Sequence, residues 1–365
     1  MDYTVSGTTL TFTTAPSSGT NNITVQNFGS AGVINVPADG SVTTSKIVDG
    51  SVTAVKMAAG AAVGNIANNT ITPAMHSNSG YEFGMRNRII NGAMMIDQRN
   101  AGASGTGNAN YTVDRWIYSG SQASKGTWQQ NAGAVTPPVG FTNYLGFTSS
   151  SAYSIGSSDY FRIIQRIEGL NVADLAWGTA NAKSVTLSFQ VYSSLTGTFG
   201  GYISNSASNR CYVFSYTVLS ANTWTPVSIT ISGNTSGTWL TTNGIGIEVG
   251  FSIGQGSTFS GSAGSWGPTI YLGPTGQTSV VGTNGATFYI TGVQLEKGSV
   301  ATPFEFRPYG TELALCQRYF QKYTNQLSAY LGNGNSARNG YLTSFIFPVK
   351  MRSSPTASNL SGSIS

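Results

Sequence analysis

The sequence predicts an all-β protein: a jelly-roll β-sandwich head that is preceded by a thin repeat shaft and followed by one short C-terminal helix. Three observations predict this architecture. The chain has 365 residues, 11% of them aromatic, and is rich in Gly, Ser, Thr and Asn, which suits pleated strands joined by many turns. Short runs with period-two hydrophobic alternation recur between clusters of Gly, Asn and Ser. The segments DGSVTTSKIV and DGSVTAVKMA follow each other at residues 39–58, as in proteins built from stacked repeats.

Residues 1–28 are predicted to form a β-hairpin, with the PSSGTNN segment at residues 16–22 as its turn. Apolar residues alternate with polar ones at Tyr3, Val5, Leu10, Phe12, Ile23 and Val25. The phrase DYTVSGTTLTFTTAPSSGTNNITV resembles the end of the N-terminal, virion-attaching module of phage tail fibres similar to the phage T7 fibre. The resemblance implies that this hairpin is the remnant of an attachment module.

Residues 29–80 contain the repeats and are predicted to form the shaft. Each full unit begins with an Asp-Gly turn dipeptide and has few apolar side chains, which it cannot bury alone. The unit is similar to repeats in many phage tail-fibre shafts, where three chains bury each other's apolar residues, so the resemblance implies a homotrimer. A flexible linker that happens to be repetitive remains the alternative, because a Ser/Thr/Gly composition suits a linker equally well.

Residues 81–310 are predicted to form the sandwich head, and residues 311–365 a helix and strand segment. Strand-like alternation occurs at Phe161–Ile167, Val185–Val191, Tyr212–Tyr216, Val227–Ile231, Ile245–Phe251 and Phe288–Ile290. Each run is bounded by turn residues, as in a sandwich or jelly roll with one face of each sheet buried. The one helix candidate is Thr311–Tyr323, which contains no Gly or Pro and in which Thr311 is the predicted N-cap.

Two longer phrases bracket the head. RNRIINGAMMIDQRNAG at residues 86–102, with YTVDRW at residues 111–116, is similar to the opening of a globular domain of many phage tail-fibre and tail-associated proteins. QLEKGSVATPFEFRPYGTELALCQRYFQK at residues 294–322 is similar to its close. Between them, SVTLSFQVYSS, NTWTPVSITISG, GIGIEVGFSIG and ATFYITGVQLEKG resemble the strands of jelly-roll carbohydrate-binding modules. In that family an Asn-Gly turn and a tryptophan entering a central strand recur, here as Asn91-Gly92 and Trp224.

These resemblances imply a virion fibre protein, made in the host cytoplasm, that belongs to a tail fibre or similar surface appendage. It would join other virion structural proteins and adhere through its head to a host surface polysaccharide or lipopolysaccharide. Two alternatives stay open. One is a structural spacer or decorating fibre without ligand specificity, and the other is a glycan depolymerase. Tryptophans exposed as a cluster would favour adhesion, tryptophans that are all buried would favour the spacer, and two carboxylates in one cleft would favour the enzyme.

Composition argues against several other classes of protein. The net charge of +5 comes from scattered Lys and Arg, so no nucleic-acid groove is indicated. No apolar run approaches the roughly twenty residues that span a bilayer, so no membrane insertion is expected. The two cysteines, Cys211 and Cys316, are predicted to be buried thiols. We expect no enzymatic activity, because the chain has one histidine, His76, and 13 Asp and Glu that mostly have local structural roles.

Sugar binding requires an aromatic ring that stacks on the apolar side of a pyranose and polar groups that bind its hydroxyls. Trp116 and Trp224 lie in strand-like contexts and are expected in the core. The aromatic candidates in loop-like contexts are Trp128, Trp239, Trp266 and Tyr271, and their polar neighbours are Gln129, Gln130, Asn131 and Asn243. For each tryptophan the alternative is packing over a strand edge, and for each amide a plain turn role.

A calcium ion is common in jelly-roll sugar binders, so the resemblance also raises a metal site. The oxygen-rich segments near Asn87 and Asp159 are the candidates for ligands. No EF-hand loop is present, and no other cofactor is expected.

Overall fold

The computed structural model describes residues 3–15, 17–19, 24, 43, 45, 85–322 and 347–356, and the chain divides into two compact units, residues 1–71 and 72–365. His76 and nearly all of the repeat zone at residues 29–80 lie outside the described residues. The shaft therefore stays a prediction.

The N-terminal segment contains a short β-hairpin within residues 3–12. Strand β1 (Tyr3–Ser6) pairs antiparallel with β2 (Thr9–Phe12), with Tyr3 opposite Phe12. The turn falls at residues 7 and 8, where Gly7 has a φ of 60° that a glycine adopts without strain. The predicted turn at residues 16–22 lies largely outside the described residues. The alternation of the two strands is visible in the sequence, whereas the two-residue turn between them is not.

The head is a jelly-roll sandwich of two antiparallel sheets. Its strands are β3 (Asn110–Tyr111), β4 (Trp116–Gly120), β5 (Gly126–Gln130), β6 (Leu145–Ser149), β7 (Tyr160–Glu168), β8 (Val185–Ser193), β9 (Gly197–Ser204), β10 (Cys211–Val218), β11 (Thr225–Ile231), β12 (Ile245–Gln255), β13 (Ser260–Gly261), β14 (Trp266–Gly267), β15 (Gly273–Pro274) and β16 (Thr287–Lys297). One sheet has seven strands in the order β14-β10-β9-β12-β7-β4-β3, and the other has five in the order β11-β8-β16-β6-β5. Strands β13 and β15 form a short parallel pair beside them.

The core lies between the two sheets because one side of each strand is apolar. Phe189 of β8 meets Phe251 of β12 with ring centroids 5.0 Å apart, and Tyr118 of β4 stacks on Phe147 of β6 at 5.3 Å. The six predicted strand runs coincide with β7, β8, β10, β11, β12 and β16, which confirms the fold class. Strand β9 (GTFGGYIS) was missed, because its three glycines hide the alternation.

The opening and closing phrases of the head pack against each other. The carboxylate of Glu305 accepts the backbone N–H groups of Arg86 and Asn87 at 3.1 and 2.9 Å. The Asn87 side chain in turn donates to the carbonyl of Val293 at 3.0 Å. Gly92 lies so close to β16 that an added Cβ would be 2.1 Å from the backbone oxygen of Val293. The two phrases, roughly two hundred residues apart, therefore form one junction where the sandwich closes.

Helix α1 (Tyr309–Gln317) docks on this junction. Cys316 on the helix is buried in a small cluster with Ile90 and Ile96 of the opening phrase. The helix begins two residues before Thr311, after Pro308, and no side chain caps it, so the predicted Thr311 cap is wrong. Pro308 occupies the N-cap position instead, with φ of −53° and ψ of 142°. The helix packs on the head through the cluster around Cys316.

Beyond the helix, Arg318 and Tyr319 hold the segment onto the end of β7. Arg318 donates to both oxygens of Glu168, at 2.9 and 2.5 Å, and the Tyr319 hydroxyl donates to the same carboxylate at 2.7 Å. The Tyr319 ring also lies 3.5 Å below the guanidinium of Arg115. These contacts place residues 309–319 firmly on the head.

Both cysteines are buried and unpaired, as predicted. Burial raises the pKa of the Cys211 thiol to about 12 and also raises the pKa of the Cys316 thiol. Within the described residues, no helix is long and apolar enough to cross a membrane.

Candidate functional site

The outer face of the seven-stranded sheet carries an unusual group of charges. In β7 the alternation places Phe161, Ile163 and Ile167 in the core, so Tyr160, Arg162 and Arg166 face outward. In the neighbouring strand β12, Glu248 faces outward directly opposite Arg166. Charged residues make up only 8% of the chain, so three charges on one patch of sheet stand out.

Tyr202 of β9 joins these charges because a glycine makes room for its ring. Tyr202 lies opposite Gly250 of β12, and a Cβ at Gly250 would be 2.2 Å from the tyrosine ring. The ring therefore lies across the strand, and its hydroxyl donates to Glu248 Oε1 at 2.6 Å. Complete burial raises the pKa of Tyr202 well above its usual value, so this phenol stays a hydrogen-bond donor.

The carboxylate of Glu248 binds both arginines. Arg162 Nη1 donates to Oε1 at 3.1 Å and also to the Tyr202 hydroxyl, and Arg166 Nε donates to Oε2 at 2.8 Å. Burial opposes ionisation of Glu248, but the two guanidinium groups and the tyrosine outweigh it and hold the pKa of its carboxyl below the usual value. The centre of the site is a fixed, ionised network built from three adjacent strands.

A groove of about 290 Å³ opens over this network. Phe259 and Leu272, from the chain that follows β12, line the groove, and the Leu272 N–H donates a hydrogen bond to the Phe259 carbonyl at 2.8 Å. Phe259 packs edge-to-face on Tyr160 with ring centroids 5.5 Å apart. The end of β9 and the turn after it also line the groove, with the polar residues Ser204, Asn205, Ser206 and Ser208.

The groove combines the two features that sugar recognition uses. Tyr160 and Phe259 are half-buried, so each presents part of an aromatic ring to the groove. The arginines and the exposed hydroxyl groups of Ser206 and Ser208 are hydrogen-bonding groups of the kind that bind sugar hydroxyls, whereas the buried Asn205 amide is used within its own turn. Because the charges are held by one another and by Tyr202, a ligand would meet a preformed site.

Two of the predicted tryptophans come together, but in a packed cluster. Trp239, Trp266 and the buried Trp177 contact each other edge-to-face, with ring centroids 4.7, 5.2 and 5.5 Å apart. Each indole N–H donates to a backbone carbonyl. Trp266 belongs to edge strand β14, which corrects its predicted loop placement, whereas Trp239 lies outside any strand. Trp239 and Trp266 remain half-buried, so the cluster is neither freely exposed nor fully inside.

Trp128 was predicted in a loop, and this is wrong. It lies in β5, is only 4% exposed, and donates its indole N–H to the carbonyl of Gly107 at 3.1 Å. Gly105 covers it so closely that an added Cβ would be 2.2 Å from the indole ring. The neighbouring Gln129 donates to the Gly102 carbonyl at 2.8 Å, which is a structural role. A sugar cannot reach the Trp128 ring in this structure.

The other predicted polar candidates stabilise turns. Asn131 has a left-handed backbone with φ of 56°, and its side chain pairs with Asn143 at 2.8 Å. Asn243 exchanges hydrogen bonds with Arg352 of the C-terminal segment, at 3.1 and 3.3 Å. Tyr271 lies in the segment before β15, between the groove residues Ile270 and Leu272, but its own ring packs on Gly261. Of the predicted site residues, only Tyr271 lies beside the groove.

Trp224, expected in the core, instead packs on the outer face of the five-stranded sheet. It is half-buried beside Tyr144 and Tyr192, with centroids 5.5 and 5.4 Å away, and donates its N–H to the Thr136 carbonyl. A segment of irregular chain covers this side of the sheet, which the alternation of β11 does not reveal.

The two suggested calcium segments do not fit the ion. Asp159 accepts hydrogen bonds from Ser121, Gln122, Tyr153 and the Gly156 N–H, and these bonds lower the pKa of its carboxyl. The side-chain oxygen of Asn87 accepts two backbone N–H groups. Among the described residues, no group of three or more acidic, Cys or His residues could hold a metal ion. Oxygens that are saturated with N–H and O–H donors are not available as ligands.

The sequence reasoning missed the groove residues, although a signal was present. Arg162 and Arg166 sit four residues apart at outward positions of one strand, YFRIIQRIE, and Glu248 is the only charge in GIGIEVGFSIG. Outward positions of a half-buried strand are normally polar, so these charges are informative mainly because charged residues make up only 8% of the chain. Which charges meet, however, depends on strand register.

No protein-family model matches the chain, and no curated protein is significantly similar to it in sequence. Several solved structures are distantly similar. The enzymatically active domain of tailspike protein 4 from bacteriophage CBA120 is 11% identical over 58% of this chain and 21% of that chain, with a TM-score of 0.33. The carbohydrate-binding module TmCBM61, solved with beta-1,4-galactotriose, is 13% identical over 58% of this chain and 99% of its own, with a TM-score of 0.30. The family 11 carbohydrate-binding module of Clostridium thermocellum, solved with a mixed-linked tetrasaccharide, is 10% identical over 55% and 98%, with a TM-score of 0.26.

Proposed function

We propose that this chain is a virion fibre protein, part of a tail fibre or similar appendage, that adheres to a host surface glycan through the groove on its seven-stranded sheet. The observation that carries the proposal is the groove itself. Its aromatic rim of Tyr160 and Phe259 stands beside a preformed polar network of two arginines and Glu248. This is the combination that a polysaccharide or lipopolysaccharide sugar requires.

The groove is proposed to bind without cleaving. Hydrolysis of a glycosidic bond requires two carboxyl groups on either side of the bond, one of them able to donate a proton. The residues that line the groove include one carboxylate, Glu248, and its lowered pKa keeps it ionised at neutral pH. An ionised carboxylate held by two arginines is a poor general acid.

The proposed assembly is a homotrimer joined to other virion proteins. The support for it is the tandem repeat at residues 39–58, whose Val and Ile side chains one chain cannot bury, together with the tail-fibre phrases at both ends of the head. In such a fibre the heads would be presented at the surface of the particle, where several weak glycan contacts add to one stable attachment.

A glycan array with the purified chain tests the binding proposal. The groove variants are Tyr160→Ala and Phe259→Ala, and the matched control is Phe306→Ala, a phenylalanine that is 55% exposed and lies outside the groove lining. Stacking on a sugar requires the face of an aromatic ring, which alanine lacks. Both groove variants should therefore lose glycan binding, and the control should keep it.

An array without any bound glycan, or groove variants that bind as well as the native protein, would contradict the proposal. The first of these results would favour the structural spacer instead. Release of reducing sugar ends on incubation with a bound polysaccharide would favour the depolymerase.

A further inference from the structure

We propose that the groove selects a sugar that carries one negative charge, a uronic acid, whose carboxylate binds the guanidinium of Arg166. The inference rests on the proposed glycan adhesion and adds the chemical class of the ligand. It follows from the balance of charges in the groove and from the hydrogen-bonding groups that remain available there.

The groove has more positive than negative charge. Arg162 and Arg166 both line it, and Glu248 is the one acidic residue among the lining residues. Both Glu248 oxygens are already in use, Oε1 by Tyr202 and Arg162 and Oε2 by Arg166. One positive charge is therefore left over in a partly desolvated site, where a charge interacts more strongly than it does in water.

Arg166 still has free donors that face solvent. Only its Nε is bound, to Glu248, and no partner for its two terminal nitrogens is found within the described residues. Its side chain is 46% exposed, whereas that of Glu248 is 14% exposed. Two parallel N–H groups of a guanidinium match the two oxygens of a carboxylate.

The surplus of a single charge favours a monoanion. A phosphate monoester carries about −1.5 to −2 at neutral pH and would meet the ionised Glu248 with its second charge uncompensated. A uronic acid carries one charge and keeps an apolar ring face for Tyr160 and Phe259. Such a sugar would balance the charge of the groove and place its apolar face against the two aromatic rings.

The test uses pairs of oligosaccharides that differ in the carboxyl group alone. Each uronate oligosaccharide is compared with its carboxyl-reduced partner, in which the carboxylate has become a primary alcohol, on an array and then by calorimetry with the full chain. We expect at least tenfold tighter binding of the acidic member, because a hydrogen bond to a charged group is worth about a factor of ten or more. The difference should shrink as salt is raised.

Two variants place the effect on Arg166. Arg166→Gln should lower the affinity for the acidic member about tenfold and leave the affinity for the reduced member unchanged. Arg166→Lys keeps the charge but loses the paired N–H donors, so its affinity for the acidic member should lie between those of the native protein and Arg166→Gln. The control is Lys183→Gln, which removes one positive charge from an exposed residue before β8 in the other sheet. Thermal unfolding of each variant shows that it is folded.

The outcomes separate this inference from the proposed function. Preference for the acidic member that Arg166→Gln abolishes supports both. Equal binding of the two members, a preference for neutral or phosphorylated glycans, or equal losses in Arg166→Gln and Lys183→Gln would overturn the charge selection and leave glycan adhesion in place. Absence of binding to every glycan would overturn both.

Discussion

Replacing Arg318 with Met should destabilise the head strongly, because it leaves a carboxylate buried without its partner. The Glu168 side chain is 1% exposed, and Arg318, which is 28% exposed, donates two hydrogen bonds to it. Removing one partner of a buried, hydrogen-bonded ion pair costs about 3–5 kcal/mol. For a unit of this size, each kcal/mol lowers the melting temperature by about 2–4 °C, so the loss should be roughly 10 °C.

The effect of this substitution on stability should depend on pH, because it depends on whether Glu168 is ionised. Burial opposes its ionisation, but Arg318 and Tyr319 outweigh burial and hold the pKa of the carboxyl below its usual value. The stability that this ionised group contributes is fully present above the unfolded pKa of about 4.3 and is lost as pH falls through the lower folded pKa. The stability gap between the native protein and Arg318→Met should therefore be largest near pH 7 and narrow toward pH 3.

Urea unfolding followed by circular dichroism measures the gap, with Lys297→Met as the matched control. Lys297 pairs with Asp174 at 3.2 Å, and the Asp174 side chain is 38% exposed, so this pair should contribute about 0–1 kcal/mol. In a double-mutant cycle, Arg318→Met should cost much less once Glu168 is Gln. Equal losses in Arg318→Met and Lys297→Met would refute the reasoning and, with it, the firm docking of residues 309–319 on the head.

Three further predictions concern the shaft, the core and the junction. Deleting residues 39–80 should make the oligomer dissociate on dilution in light scattering, whereas an equally stable trimer would show that the shaft does not hold the chains together. Trp128→Ala should lower the unfolding free energy by about 3–5 kcal/mol in urea melts, since the ring is buried, and a neutral result would contradict its placement in the core. Gly92→Ala should lower the unfolding free energy by about 1–3 kcal/mol, because the new methyl group would overlap the Val293 carbonyl. An unchanged melting temperature would show that the backbone at the junction can shift to accommodate the methyl group.

Much of the fold could be predicted because a strand exposes its two faces in strict alternation. Phe161, Ile163 and Ile167 alternate within nine residues, so the sequence alone indicated that this strand covers a core on one side. The same reasoning failed for β9, where glycines replace the side chains that would show the pattern. It also misplaced the helix cap and did not reveal the turn at Gly7, since both depend on one or two backbone angles.

The candidate site could not be predicted in the same way. Trp128 looked like a loop residue because Gly and polar residues surround it, yet Gly105, more than twenty residues earlier, covers its ring. Conversely, Arg162, Arg166 and Glu248 did not form a recognisable motif. Burial of a side chain depends on what packs over it, and sequence spacing alone does not say what that is.

By itself, the sequence determined that the chain is all-β, that its head is a sandwich with helix α1 near its end, and that repeats precede it. Only the tertiary structure decided where the candidate site lies. Arg166 meets Glu248 because β7 and β12 are neighbours in a register with two irregular points, and Tyr202 reaches them across Gly250 from a third strand. Alternation is a local property that each segment carries alone, whereas register and strand order arise only when all the segments pack together.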